Sequence, residues 1–462
     1  MNFPRIVLAG LSGGTGKTIV TLGICRALRN KGLAVKPFKK GPDYIDARWL
    51  GLAAGESASN LDPHLMPAEK LPLLMYEKGK NFDISVIEGN RGLFDGKDVE
   101  GSCSTAELAR IIAAPVILAI DCTKMTRTVA AIVSGCRNFE SGFNLAGVIL
   151  NRTAGERHRS ILRRSIEEYT DVPVLGMLPK LSKNPIPERH MGLVSNTEYA
   201  RQDSSLETLG RMAEECIDLD RLTEIAGSAG SLEVPELQLW PENCVCGNER
   251  PVIGVVRDEA FWFYYDENLE ALEHAGAEVR ELSLLSDEDW PELHGLYLGG
   301  GFPETMADKL SANVAARKRV KSLADSGLPV FAECGGFMYL GESVEYKGQS
   351  YPMSGVLPIS TKLCLKPQGL GYTCGVVEAD NLFFKTGTEI CGHEFHYSLC
   401  VNEQETDFSY ALSLKRGKGT FLGRDGIVKD NVYAGYNHIH ALGNPQWAEN
   451  FVTAAEKFKN RS

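Results

Sequence analysis

Two sets of residues have types and spacings that could do chemistry. The first is Gly10-Leu11-Ser12-Gly13-Gly14-Thr15-Gly16-Lys17-Thr18, set between an apolar run and a segment with helical spacing. A glycine loop in that position turns backbone N–H groups inward around phosphates, and the helix start behind it adds partial positive charge. Gly13, Gly14, Thr15 and Gly16 would form the cradle, Lys17 would reach the outer phosphates, and the Thr18 hydroxyl would ligate Mg²⁺. The spacing departs from G-x-x-x-x-G-K-T: Leu11 falls where the first glycine belongs, and Gly10 stands one place earlier. Acidic groups follow in "KKGPDYIDARW", with Asp43 and Asp46, and in "IEGNRGLFDG", with Glu88 and Asp95. Carboxylates at strand ends can hold Mg²⁺, an oxygen-seeking ion, and Asp43 and Glu88 are the expected metal ligands. Asp46 and Asp95 sit in turns that an Asp also favours for capping. Asp121 ends another strand, and Lys39, Lys40, Lys124 and Arg127 are cations along the same rim.

The second set lies in the other half of the chain. "LPVFAECGGFMYL" reads as strand, sharp turn and helix, with Cys334 at the turn. A thiol beside a helix N-terminus is expected to have a lowered pKa and to act as a nucleophile. Upstream, "YLGGGFPE" is a second glycine loop, whose N–H groups could donate to a tetrahedral oxyanion. Downstream, "AGYNHIHAL" offers His438 and His440, of which only one can face a given site if the segment is extended. A cysteine with a distant histidine matches a thiol acyl-transfer pair. "CGHEFHYS" holds His393 and His396 at the wrong spacing for a His-Glu-x-x-His zinc site; contact with a polar ligand or plain packing is expected instead. Cys244 and Cys246 form a single close pair without a second ligand pair, so no zinc site is expected there.

These residues need elements to hold them. Ile6–Ala9, Ala34–Phe38, Ile84–Glu88, Val116–Asp121, Ala146–Asn151 and Val174–Leu178 are short apolar runs separated by helix-length segments. That alternation predicts a parallel sheet with helices on both faces. The pattern fails over residues 227–250, where Gly, Ser and Pro mix without period, and this stretch reads as a linker between domains 1–226 and 251–462. A second series follows: strands at Val252–Val256, Glu278–Leu282, Gly295–Leu298 and Pro329–Ala332, a helix over Tyr264–Gly276, and short β-like segments from about Tyr351 onward.

Composition fits this reading. The 462 residues allow two or three domains, and 43% apolar with 24% charged residues excludes a disordered or fibrous chain. The longest apolar run, Ile111 to Ile120, is 10 residues with Pro115 inside it, too short for a membrane span. The opening residues read as a strand entering the glycine loop, not a signal peptide, so a cytoplasmic protein is expected. A net charge of −11 argues against bulk nucleic-acid binding.

The glycine loop is similar to loops of the dethiobiotin-synthetase type, and Ser12 stands where partitioning ATPases carry a signature lysine. Together, "KGPDYID", "EGNRGLFDG", "GVILNR", "PERHMGL", "GGGFPE", "AECGGFMYL", "GHEFHYS" and "YNHIH" resemble the cobyrinic acid a,c-diamide synthase family over almost the whole chain. The resemblance implies an α/β protein: an N-terminal P-loop amido-ligase domain followed by a class I-like glutaminase domain. ATP, Mg²⁺ and glutamine are the implied co-substrates and cofactor, and a tetrapyrrole polycarboxylate is the acceptor, amidated at its c and then its a carboxylate. Carried over by motif, Cys334 is the nucleophile, His438 the base with His440 in reserve, and Asn151 the adenine-contacting position. No acidic third member is assigned. Asp46, Arg91, Asp95, Gly301, Gly335 and His393 are the further positions expected to touch substrate. Arg91 and Lys180 depart from the family's usual residues near the expected macrocycle site. Hydrogenobyrinate or nickel-sirohydrochlorin diamidation is the alternative with the same chemistry, and a non-catalytic P-loop switch is the alternative from another class. A homodimer is the quaternary state left open. Two anionic ligands on an acidic protein require a locally basic cleft, for which Lys17, Lys39, Lys40, Arg91 and Arg127 are candidates.

Overall fold

A computed structural model describes the chain apart from residues 1–2, 182–184, 187, 190–191, 194–201, 241–248, 287–288, 402–408 and 462. Cys244, Cys246 and three residues of "PERHMGL" lie outside the described residues. The chain divides into two compact units: Met1–Pro63 with Pro67–Leu239, and His64–Met66 with Trp240–Ser462. The division falls within the stretch 227–250, after a helix that ends at Gly227.

The first unit is built on seven strands: β1 (Arg5–Gly10), β2 (Val35–Lys40), β3 (Ser59–Leu61), β4 (Ile84–Glu88), β5 (Val116–Asp121), β6 (Leu145–Thr153) and β7 (Val174–Pro179). They pair in the order β3-β2-β4-β1-β5-β6-β7, all parallel. Every residue of β1, β2 and β4 is buried, as expected of strands covered on both faces. The central register aligns Lys39 with Glu88 and Glu88 with Leu8. It therefore brings the carboxyl ends of β2, β4 and β1 together where the glycine loop leaves β1 and enters helix α1 (Lys17–Asn30). β3, "SNL", has no apolar run to announce it and adds an edge strand that the sequence pattern missed.

The second unit has a nine-stranded sheet. Its strands run in the order 278–282, 252–256, 295–298, 330–333, 432–435, 424–429, 409–416, 369–377 and 389–396. The first five are parallel, and the rest pair antiparallel. The expected helix begins later, at Asp266, and ends at His274. Alternation along strand Val330–Glu333 divides its side chains between two cores. Val330 and Ala332 enter one core with Leu298 and Phe337; Phe331 enters the other, stacked on Tyr433 at 5.3 Å beside Tyr297 and Trp447. Burying such aromatic side chains contributes about 1.5–3 kcal/mol each, so the strand that delivers Cys334 is firmly anchored.

Candidate active sites

The first site is a buried charge cluster at the mouth of the glycine loop. Ser12, Gly13 and Gly14 are exposed, whereas Thr15 and Lys17 are buried. Gly16 has φ 83, and a Cβ there would meet Asn151 Nδ2 at 2.3 Å, so glycine is required on both counts. Asn151 donates from Nδ2 to Thr15 O at 3.0 Å, and its Oδ1 accepts from Arg152 N at 2.8 Å. Its amide thus braces the loop from the end of β6.

Glu88 sits at the centre, fully buried. Its Oε1 accepts from Thr18 Oγ1 at 2.6 Å and faces Lys17 Nζ at 3.2 Å and Lys39 Nζ at 3.1 Å. Lys39 also pairs with Asp46 Oδ2 at 3.0 Å. Burial pushes the Glu88 carboxyl up, but Lys39, Lys17 and the Thr18 hydroxyl outweigh it and hold it below the usual range. Burial and the neighbouring Asp43 raise Asp46 to about 7 against the pull of Lys39. Lys39 loses charge stabilisation by burial, yet Asp46, Glu88 and Asp43 raise it overall, so it stays a cation.

The donor set fits Mg²⁺. Glu88 Oε2 is buried with no hydrogen-bond partner, next to the carboxylate oxygen that Thr18 already engages. A spare carboxylate oxygen beside a threonine hydroxyl is the hard-oxygen chemistry this ion takes when phosphates and waters complete its shell. Among the described residues no group of three or more His, Cys, Asp or Glu is arranged to hold a metal. Asp43 caps the helix Tyr44–Ala54, its Oδ1 accepting from Asp46 N at 2.8 Å, and Asn60 Nδ2 holds the Asp43 carbonyl at 3.1 Å. Asp95 caps its own turn, Oδ2 accepting from Gly92 N at 2.9 Å. Arg91 is exposed at φ 50. Of the other proposed cations, Lys40 pairs with buried Asp62 at 3.5 Å and Arg127 lies against Tyr169. Only Lys17 and Lys39 of that set join the central cluster.

The second site surrounds Cys334, the residue after strand Val330–Glu333 and before the short helix Gly335–Leu340. Cys334 has φ 45 and ψ −97, a conformation that costs about 1–3 kcal/mol in a non-glycine residue. It is held by Cys334 N donating to Gly435 O at 2.7 Å and by its own carbonyl accepting from Met338 N at 3.0 Å. The expected lowering of the thiol pKa is not found. Burial, with Glu304 and Glu333 close by, pushes the thiol up, and the Gly335 N–H offsets this only in part. Six helical residues add little field beside full desolvation, so the resting group is a neutral thiol that needs a base.

The glycine loop before it supplies the wall. A Cβ on Gly300 would meet His438 Cε1 at 2.5 Å, and one on Gly335 would meet Gly301 N at 3.0 Å. The Gly300–Gly301 backbone is therefore wedged between the His438 ring and the helix start that follows Cys334. His438 stacks on His393 at 4.8 Å and exchanges two backbone hydrogen bonds with it. Burial, His438 and His64 lower His393 well below its ordinary value, so it is neutral. Asp425 fixes the approach to His438 by accepting from Tyr436 N and Asn437 N, at 3.0 and 2.8 Å.

His440 lies elsewhere. Its Nδ1 accepts from Leu442 N at 3.2 Å, and its Nε2 faces buried Glu267 at 3.6 Å. His396 stacks flat on Tyr436 at 3.6 Å between centroids. Glu333, Tyr297, Asn268 and Asp425 were not singled out from sequence; nothing local distinguishes them, because their partners come from distant strands.

Residues 6–194 match the CobQ/CobB/MinD/ParA nucleotide binding domain, and residues 252–446 match the CobB/CobQ-like glutamine amidotransferase domain. A cobyrinate a,c-diamide synthase of Magnetococcus marinus is 40% identical over 96% of this chain and 96% of its own. One of Dehalococcoides mccartyi strain CBDB1 is 41% identical over 99% of each chain. A third, of Listeria monocytogenes strain F2365, is 40% identical over 95% of this chain and 97% of its own. The chain belongs to the cobyrinate a,c-diamide synthase family. Its α/β architecture, with a P-loop unit followed by an amidotransferase unit, is that of this family, and membership sets aside the regulatory-switch reading. Among the described residues no helix is long and apolar enough to cross a membrane.

Proposed function

We propose that the chain amidates the c and then the a carboxylate of cobyrinate, using ATP and glutamine-derived ammonia. Residues 1–226 act as the ligase and residues 251–462 as the glutaminase. The observation that supports this reading is that one chain carries residues for both chemistries: a phosphate loop whose Lys17 and Thr18 both meet Glu88, and a buried thiol at a strand–helix turn whose neighbouring Gly300–Gly301 backbone lies against His438.

In the glutaminase, His438 takes the Cys334 proton as sulfur attacks the glutamine amide carbon, and returns it to the departing ammonia. The backbone N–H groups of Gly301 and Gly335 face the developing oxyanion. Water then hydrolyses the thioester to glutamate. In the ligase, a substrate carboxylate attacks the γ-phosphate of ATP, and Lys17 stabilises the transferring charge. Thr18 and Glu88, with Asp43 as the further carboxylate, would hold Mg²⁺, which would supply charge neutralisation at the phosphates. Lys39 keeps Glu88 ionised through this step. Ammonia displaces phosphate from the acyl phosphate to give the amide. Asn151, at the end of β6, serves the adenine edge.

The test is mass spectrometry of products from cobyrinate, hydrogenobyrinate and nickel-sirohydrochlorin, each with ATP, Mg²⁺ and glutamine. Two successive one-amide mass shifts on cobyrinate are expected. Shifts only on another macrocycle would reassign the substrate, and shifts on none would sink the proposal. Lys17→Ala should abolish ATP turnover and spare thioester formation at Cys334.

A further inference from the structure

Glu333 is a fully buried carboxylate at the end of the strand that delivers Cys334. Strand alternation puts it on the side of Phe331, with Tyr297 and Ile439. Its Oε1 accepts from Ile439 N at 2.9 Å and its Oε2 from Tyr297 Oη at 2.8 Å. Tyr297 Oη in turn accepts from Asn268 Nδ2 at 3.3 Å, which fixes the hydroxyl as a donor to Glu333. Burial and the nearby Glu333 raise the Tyr297 phenol well above its ordinary value, so it keeps its proton. Among the described residues no lysine or arginine pairs with Glu333; the one basic side chain in range is His438, whose Nδ1 lies 3.7 Å from Oε2.

We infer that Glu333, the residue immediately before the nucleophile, is the acidic positioning residue of the glutaminase, orienting His438 and balancing its charge. This rests on the reading of Cys334 and His438 as the thiol and its base. A proton on Nδ1 facing Glu333 makes Nε2 the acceptor for the Cys334 thiol proton. As the S–C bond forms, that proton moves to Nε2 and the ring becomes a cation beside a carboxylate already in place. When the C–N bond breaks, the same proton leaves with ammonia and both groups return to rest. A buried carboxylate gains from a neighbouring positive charge, so a carboxylate beside His438 favours the charged intermediate. The 3.7 Å separation is longer than a hydrogen bond and shortens as the ring gains charge.

The neighbours agree with this assignment. His393, stacked on the other side of His438, is held neutral and adds no competing charge. Glu304 lies close enough to Cys334 to raise its thiol. His440 has its own carboxylate in Glu267, so Glu333 is not shared with it.

The test measures glutaminase activity and the rate of Cys334 alkylation by iodoacetamide against pH, on the full chain and its Glu333→Gln and Tyr297→Phe variants. Glu333→Gln should lower kcat by about 10²–10⁴-fold with KM little changed, by analogy with general-base triads. The acid limb of both profiles should move to lower pH by about one unit, because the imidazolium has lost its counter-charge. Tyr297→Phe, which removes one donor from the carboxylate, should preserve that limb and lower kcat by about 10-fold or less. If Glu333→Gln does not fold, Glu333→Asp replaces it, and an acid limb moved in the same direction supports the assignment. An acid limb identical to that of the parent overturns it, even if the rate falls. Glutaminase activity surviving in Cys334→Ser would instead overturn the underlying reading, a result separable from the others.

Discussion

The two sites handle charge in opposite ways. The ligase site holds charge at rest: Glu88 faces both Lys17 and Lys39, and Lys39 also meets Asp46, whose carboxyl is raised to about 7. In the glutaminase site the nucleophile itself is uncharged: burial, Glu304 and Glu333 hold the Cys334 thiol protonated. The contrast follows from the ligands. ATP and a polycarboxylate bring negative charge with them, so their site needs fixed cations whose own desolvation is already met. Glutamine is a neutral amide at its reacting end, so a standing thiolate offers no binding advantage and would be open to oxidation. A buried, protonated Cys334 avoids both problems.

The sharpest way to break the comparison is Cys334→Ser. Glutamine-dependent amidation should fall by about 10³-fold or more, with amidation from added ammonia persisting. Loss of both in a coupled product assay would mean that the sites are not chemically separate. Next is Glu88→Gln, which leaves two buried lysines short of a counter-charge and should cost about 3–5 kcal/mol in urea unfolding of the ligase unit. Because the Glu88 carboxyl is held below its ordinary 4.5, its contribution is present above that pH and lost as pH falls through the lower folded value. An acid-unfolding profile unchanged by the substitution would show that the ion cluster is not what it stabilises.

A smaller effect is expected from Gly300→Ala. The new methyl would strike His438 Cε1 and displace the ring, lowering glutaminase kcat by about 10²-fold without changing ATP binding. Unaltered glutaminase rates would show that the wedge does not set the position of His438. Smallest is Asp95→Ala, since that carboxylate serves only its own exposed turn. Stability should change by about 0.5 kcal/mol or less, and a large loss of ATP turnover would restore Asp95 to the ligand-binding set.

Much of this was readable without coordinates. Parallel strands such as β1 and β5 announce themselves because both faces are buried and their centres are apolar, as in Ile6–Ala9 and Val116–Ile120. β3 and the antiparallel strands between 369 and 435 do not, because they are short, half-exposed or rich in glycine. The thiol's protonation is hidden from the sequence for a related reason. A helix start is visible in sequence, but the desolvation that overrides it comes from side chains of other strands packed around Cys334.

What the sequence determined by itself is therefore the local chemistry: the loop from Gly10 to Thr18, Glu88 at a strand end, and Cys334 at a turn. Each depends on a few consecutive residues whose backbone geometry is self-contained. Only the tertiary structure decided the partners. Lys39 meets Glu88 because β2 and β4 pair in one register, and Glu333 meets His438 because Val330–Glu333 lies beside Val432–Gly435. Such pairings are set by which buried faces fit together over the whole sheet, and no local spacing encodes them.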